Sequence, residues 1–163
     1  MRAYIATYYF QLPFILILII LDEDQGLAVT TSFKIVMEKT VNEEQVIALF
    51  GDWNDALATG NPDVVTNMYA EDAVLLPTVS NQVRHNHAEI RDYFVAFLAK
   101  QPQGVITESN ARVLSDTLAT NAGVYVFTFG DGSTVSARFN YTYELRGDAW
   151  KIIQHHSSAM PEG

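Results

Sequence analysis

Apolar and polar residues alternate from Val135 onward: Val135, Ala137, Phe139, Tyr141, Tyr143 and Leu145 take the odd positions, with Ser136, Arg138, Asn140, Thr142 and Glu144 between them. A period of two over this length predicts a strand with one apolar face. Arg146-Gly147-Asp148 supplies turn chemistry, and a second strand returns through Trp150, Ile152 and Ile153 into Gln154-His155-His156-Ser157-Ser158. A polar, titratable cluster therefore ends an apolar strand. Upstream the period becomes helical. Asn42 followed by Gln45 forms a capping-box signal, and Val46, Leu49, Phe50, Trp53 and Leu57 share one helix face until Gly60. Asn61-Pro62 opens a short second helix carrying Val64, Val65, Met68 and Tyr69. Val74, Leu75 and Leu76 read as a short strand stopped by Pro77, and residues 78–86 as a loop or weak hairpin. Asn86 with Glu89 caps a third helix through Ile90, Tyr93, Phe94, Phe97 and Leu98, ended by Gln101-Pro102. Strands follow over 105–114 and 123–129, and Gly130-Asp131-Gly132 turns the chain into the hairpin.

Helices followed by successive strands predict an α+β domain, a cone-shaped, strongly bent antiparallel sheet wrapped around helices. Its concave side would carry the odd positions Tyr125, Phe127, Phe129, Phe139, Tyr141 and Tyr143, joined by Ile153, His155 and Ser157 and by Trp53 from the first helix. Such a face either lines a small-molecule pocket or packs as solid aromatic core. The 163 residues are 48% hydrophobic, enough for one core with an appendage.

That appendage is the N-terminus. Arg2 leads an apolar run that thickens over 13–21, then come Asp22-Glu23-Asp24-Gln25 and small residues at Gly26 and Ala28. These are the regions of a secretory signal. Left uncleaved, residues 3–21 are long enough to span a bilayer, with Arg2 favouring a cytoplasmic N-terminus. The expected division is a signal peptide or membrane anchor over 1–28, a linker over 29–39 and the folded domain over 40–161. The domain would then be periplasmic, secreted or membrane-anchored, and cytoplasmic if translation starts at Met37.

The net charge of −9 excludes a nucleic-acid partner, and leaves a membrane contact only through an uncleaved leader. Zero cysteines exclude disulfides, a thiol nucleophile and thiolate metal ligands. His155 and His156 point to opposite faces of a strand and cannot chelate one ion, so no metal and no cofactor is expected. His155 with Tyr141 are the candidate catalytic residues, an acid/base pair for enolisation or dehydration; the alternative is a hydrogen-bonded histidine at a strand end. No acid stands on the odd positions of the last two strands, and Asp55 and Asp72 read as solvent-face or turn residues. Ser157 and Ser158 lack the glycine elbow of a hydrolase nucleophile. His85 and His87, with Arg84 and Arg91 near a helix start, form either a small anion-attracting patch or a solvated loop. Arg138 on the opposite sheet face suits a dimer interface or water.

The order of elements resembles the nuclear transport factor 2-like (SnoaL-like) superfamily. Stretch 150–161, WKIIQHHSSAMP, is similar to the closing strand of the calcium/calmodulin-dependent protein kinase II association domain. LATGN at 57–61, VTNM at 65–68 and RDYF at 91–94 extend the resemblance over residues 40–161. It implies a non-catalytic domain that assembles with itself as a homodimer or higher ring, with a deep pocket whose lining includes arginines. The family's three pocket-arginine positions fall here on Tyr125, Tyr141 and Ser157, and its pocket histidine and tyrosine on Ile90 and Val65, so a stand-alone bacterial-type member with a different, unidentified ligand is implied. The pocket expected here is Trp53, Tyr125, Phe127, Phe139, Tyr141, His155 and Ser157. The superfamily also implies an alternative, a cofactor-independent lyase, isomerase or cyclase acting on an apolar, aromatic or polyketide-like substrate.

Overall fold

The computed structural model describes residues 5–7, 18–20, 41–78 and 80–161. The chain divides into two units, Met1–Thr40 and Val41–Gly163. In the first, β1 (Ile5–Thr7) and β2 (Leu18–Ile20) pair antiparallel. The expected leader, its cleavage region and the linker otherwise lie outside the described residues, among which no helix is long and apolar enough to cross a membrane.

The second unit runs α1 (Glu43–Ala58), α2 (Pro62–Thr66), β3 (Tyr69–Leu76), α3 (His87–Leu98), β4 (Gln103–Ser115), β5 (Leu118–Thr128), β6 (Thr134–Arg146) and β7 (Ala149–Ala159). Local chemistry starts each helix where the sequence places it. Asn42 and Gln45 close a reciprocal capping box, Asn61 caps α2 with Pro62 in its first turn, and the Asn86 side chain accepts from the Glu89 amide. In α3 the box is not reciprocal, because the Glu89 carboxylate accepts from the His85 amide instead.

The sheet order is β3-β7-β6-β5-β4, and its two edge strands do not pair, so it curls without closing. The sheet is antiparallel except for the β3–β7 pair, which is parallel. Gly147 at φ +68° makes the two-residue β6–β7 turn, a backbone position that L side chains resist. Gly123 serves a different need: a Cβ there would collide with the backbone carbonyl of Glu108, across the bulge between Ile106 and Glu108.

Three expectations change in the structure. Tyr69 is not helical: α2 ends at Thr66, and Tyr69 opens β3 opposite Ile152 of β7. That pairing is made with a distant strand, so no local pattern announces it. β5 begins at Leu118, well before Gly123, because its small residues Ala119 and Ala122 pair with Tyr143 and Asn140 across the ladder. Ile152, not Ile153, takes the inward place beside Tyr143, since the β6–β7 register shifts there and reverses the alternation of side chains. Among the described residues of 78–86 no ladder forms; the stretch is a loop closed by a single antiparallel bridge between Leu75 and Arg84.

The core lies between the concave sheet face and the helices. Phe50 and Trp53 of α1, with Phe94 of α3, meet Tyr125, Phe127, Phe139 and Tyr141 across β5 and β6. Tilted and edge-to-face contacts dominate around Trp53, as ring quadrupoles favour.

Candidate functional site

The inward alternation of β5, β6 and β7 delivers Tyr125, Phe127, Ala137, His155 and Ser157 to one wall of a cavity of about 120 Å³. Trp53 of α1 and Phe94 and Phe97 of α3 form the opposite wall, and Leu75, Pro77 and Thr78 close the side at the end of β3. Lys100, Phe129 and Val135 stand at the rim, where Val135 is 43% exposed. Five residues expected at a pocket, Trp53, Tyr125, Phe127, His155 and Ser157, thus share one space. Phe139 and Tyr141 do not line it; both are in the core, where Phe139 stacks on Phe50 and on Tyr125. Phe129 lies at the rim, and Tyr143 sits deeper, stacked on Tyr141.

Two hydrogen-bonded chains organise the polar groups. In the first, the Trp53 indole N–H donates to Tyr69 Oη at 3.1 Å, and Tyr69 Oη lies 2.8 Å from His155 Nδ1. An indole nitrogen can only donate, so the tyrosine oxygen accepts from Trp53 and its own proton is directed at Nδ1. His155 is then neutral with its hydrogen on Nε2, an atom without a partner among the described residues. Burial, with the neighbouring His156 adding to it, pushes the His155 pKa down to about 3. Burial likewise holds Tyr69, Tyr125 and Tyr141 well above the ordinary phenol range.

His155 and Tyr141 are cross-strand partners, with ring centroids 4.1 Å apart and planes within 28°. They stack and share no hydrogen bond; Tyr141 Oη has no partner among the described residues. The partner of His155 is Tyr69, which a helical reading of that residue conceals.

The second chain joins Thr78 Oγ1, Ser157 Oγ and Tyr125 Oη, with the serine in the middle. Thr78 reaches Ser157 because β3 runs parallel beside β7. The sequence holds no local sign of this contact.

Outside the cavity, the residues of the expected basic patch and the two acids singled out from the sequence have other surroundings. Arg84, largely buried, pairs with Asp92, Arg91 binds Asp63 at 2.6 Å, His85 lies 3.4 Å from Glu89 and His87 Nε2 lies 2.9 Å from the Tyr69 carbonyl, so the residues of the basic patch before α3 are taken up by local contacts. Asp72 holds Arg146 on the outer side of the sheet, and Asp55 is exposed. No cluster of metal-ligating side chains occurs among the described residues.

Comparison with solved structures gives the fold its context. A protein from Xanthomonas campestris, described as a calcium/calmodulin dependent protein kinase II association domain, is 52% identical, with a TM-score of 0.72 over 77% of this chain and 93% of that one. An NTF2-like protein of unknown function from Pseudomonas putida KT2440 is 16% identical, with a TM-score of 0.64 over 72% of this chain and 86% of that one. A structure from Novosphingobium aromaticivorans, named as a scytalone dehydratase, is 10% identical, with a TM-score of 0.59 over 71% and 81%. The last two show the shared fold alone, the NTF2-like, cystatin-like α+β roll. No curated protein matches the chain. The sequence pattern described as "calcium/calmodulin dependent protein kinase II association domain" matches residues 42–161, and the chain belongs to that family.

Proposed function

We propose that this chain is a non-catalytic, self-associating domain whose cavity holds a small molecule. One observation carries the non-catalytic part: the polar groups on the inner cavity wall are uncharged, and Thr78, Ser157 and Tyr125 are engaged with one another. His155 is held neutral far below its usual range, Tyr125 is held protonated far above its own, and Thr78 and Ser157 are hydroxyls. An acid/base catalyst at neutral pH works best with a pKa near that pH, and these groups are poised away from it. A reaction running through His155 and Tyr141 would also need a proton path between two rings that only stack.

Family membership supports self-association. The outer sheet face offers the surface. Ser136, Arg138 and Asn140 of β6 are exposed there, and Val105 at the β4 edge is 65% exposed. Light scattering and native mass spectrometry of the full chain test this. A dimer or a ring of dimers is the expected mass, and Arg138→Glu is expected to lower it without unfolding the chain. A monomer at tens of micromolar would refute the self-association.

A further inference from the structure

The cavity's size, wall and hydroxyls together define a ligand class. Its volume of about 120 Å³ is close to that of a ~150 Å³ apolar cavity that takes up benzene. The enclosed space matches one six-membered ring. The wall is aromatic: Trp53 meets Phe94 at 6.3 Å and Phe127 at 6.2 Å, each edge to face, an arrangement that a further ring can join.

The hydroxyls add polarity of one kind. Thr78, Ser157 and Tyr125 carry three O–H protons and make two hydrogen bonds among themselves. One proton is left unspent however the chain is oriented. If the chain runs head to tail, the spare proton is at Thr78 or Tyr125; if both ends donate inward, it is on Ser157. The wall therefore always offers a neutral hydroxyl donor and neutral oxygen acceptors, and its lining residues His155 and Tyr93 add an Nε2–H, unpartnered among the described residues, and a phenol, both also neutral. Nothing beside them compensates a buried full charge. Among the described residues, Lys100 is the one cation on the lining, and it stands at the exposed rim, 6.0 Å from the Phe129 ring centroid. Placing an anion among the hydroxyls would strip its hydration without a countercharge.

We propose that the cavity binds a neutral, single-ring aromatic molecule carrying one hydroxyl or carbonyl oxygen, with the ring against Trp53 and Phe127 and the oxygen at the Ser157 hydroxyl chain. This rests on the reading of the cavity as a binding site, and it specifies what that site selects. No bond is made or broken.

The test is calorimetric titration of the full chain with phenol, toluene and benzoate, each repeated on Ser157→Ala, Tyr125→Phe and Ala137→Leu. Near-ultraviolet circular dichroism reports that each variant keeps its aromatic packing. Phenol is expected to bind saturably and more tightly than either of the others. Ser157→Ala should weaken phenol about tenfold, the equivalent of one hydrogen bond, while moving toluene little. Tyr125→Phe carries the same test if Ser157→Ala does not fold. Ala137→Leu, which fills the cavity, should abolish phenol binding. Benzoate binding as tightly as phenol, and lost in Lys100→Ala, would overturn the neutral ligand class and leave the pocket standing. Absence of saturable binding by all three would overturn the pocket with it. Phenol binding that Ala137→Leu leaves intact would locate the ligand elsewhere and refute the proposal.

Discussion

Lowering the pH from 7 to 5 probes the burial of His155 directly. The ring is enclosed by Trp53 of α1, Tyr69 of β3 and Tyr141 of β6, with no carboxylate among these contacts. Its folded pKa is about 3, against ~6.5 in an unfolded chain. Between those values the unfolded chain binds a proton that the folded chain refuses, so stability falls as the pH is lowered. The contribution is fully present above pH 6.5 and is lost progressively towards pH 3. At about 1.4 kcal/mol per pH unit, with the curve still bending near 6.5, the loss from pH 7 to 5 is about 2 kcal/mol. The folded ring stays neutral throughout this window, so the figure is set by the unfolded value. Ordinary carboxylates titrate below it. Urea unfolding at fixed protein concentration, followed by Trp fluorescence, should show the midpoint falling by roughly 1 M for a slope near 2 kcal/mol per M. His155→Gln cannot titrate and offers an acceptor to Tyr69. Its midpoint should move much less over the same range, whatever His85, His87 and His156 contribute to both proteins. Equal pH dependence in the two proteins would refute the buried neutral histidine, and with it the main reason for reading the cavity as a binding site without acid/base chemistry.

Other substitutions test the framework around that histidine. Trp53→Phe removes the donor to Tyr69 and should cost about 2 kcal/mol in chemical denaturation. Combined with Tyr69→Phe it should cost less than the sum, and strict additivity would mean that the hydrogen bond contributes nothing. Asn42→Ala opens the capping box of α1 and should lower stability by about 1 kcal/mol, read as a drop in melting temperature. Two glycines should respond in opposite directions. Gly51→Ala, in α1 with nothing within 4 Å of the new Cβ, should stabilise by up to about 1 kcal/mol, whereas Gly123→Ala drives a Cβ into the Glu108 carbonyl and should destabilise by more than ~2 kcal/mol.

What is legible in this sequence is what neighbouring residues decide among themselves. Asn42, Asn61 and Asn86 each bond an amide two or three residues away, so the helix starts can be read directly. The alternation through Phe139, Tyr141 and Tyr143 survives folding because one face of β6 is buried along most of its length. The same parity finds Tyr125, Phe127, His155 and Ser157, and the helical spacing of α1 finds Trp53; all five line the cavity. It fails where the ladder slips. Ile152 and Ile153 exchange faces at a register shift that nothing in their own composition marks. It also fails wherever a contact depends on β3 lying parallel to β7, which hides both Tyr69 at His155 and Thr78 at Ser157. Phe139 and Tyr141 point inward as parity requires, yet helix α1 covers them: Phe50 lies 6.4 Å from each ring. An inward direction alone cannot separate a pocket wall from core.

The two hydrogen-bonded chains explain how one aromatic interior can hold both a rigid core and a receptive space. Trp53, Tyr69 and His155 form a chain led by a donor-only nitrogen, and its direction is therefore fixed. Thr78, Ser157 and Tyr125 contain only hydroxyls, which can reverse direction and always retain a proton. The first chain pins the histidine in its neutral form and the second faces the cavity with polarity but no charge. Two of the three positions where the family resemblance implies pocket arginines, Tyr125 and Ser157, belong to this second chain; the third, Tyr141, is stacked on His155. Hydroxyls and a stacked phenol therefore stand where the resemblance implies guanidinium groups, and no countercharge lies at these positions. On the proposed reading, selection in the cavity rests on ring shape and on hydrogen bonds to neutral groups, because among the described lining residues the one cation, Lys100, stands at the rim.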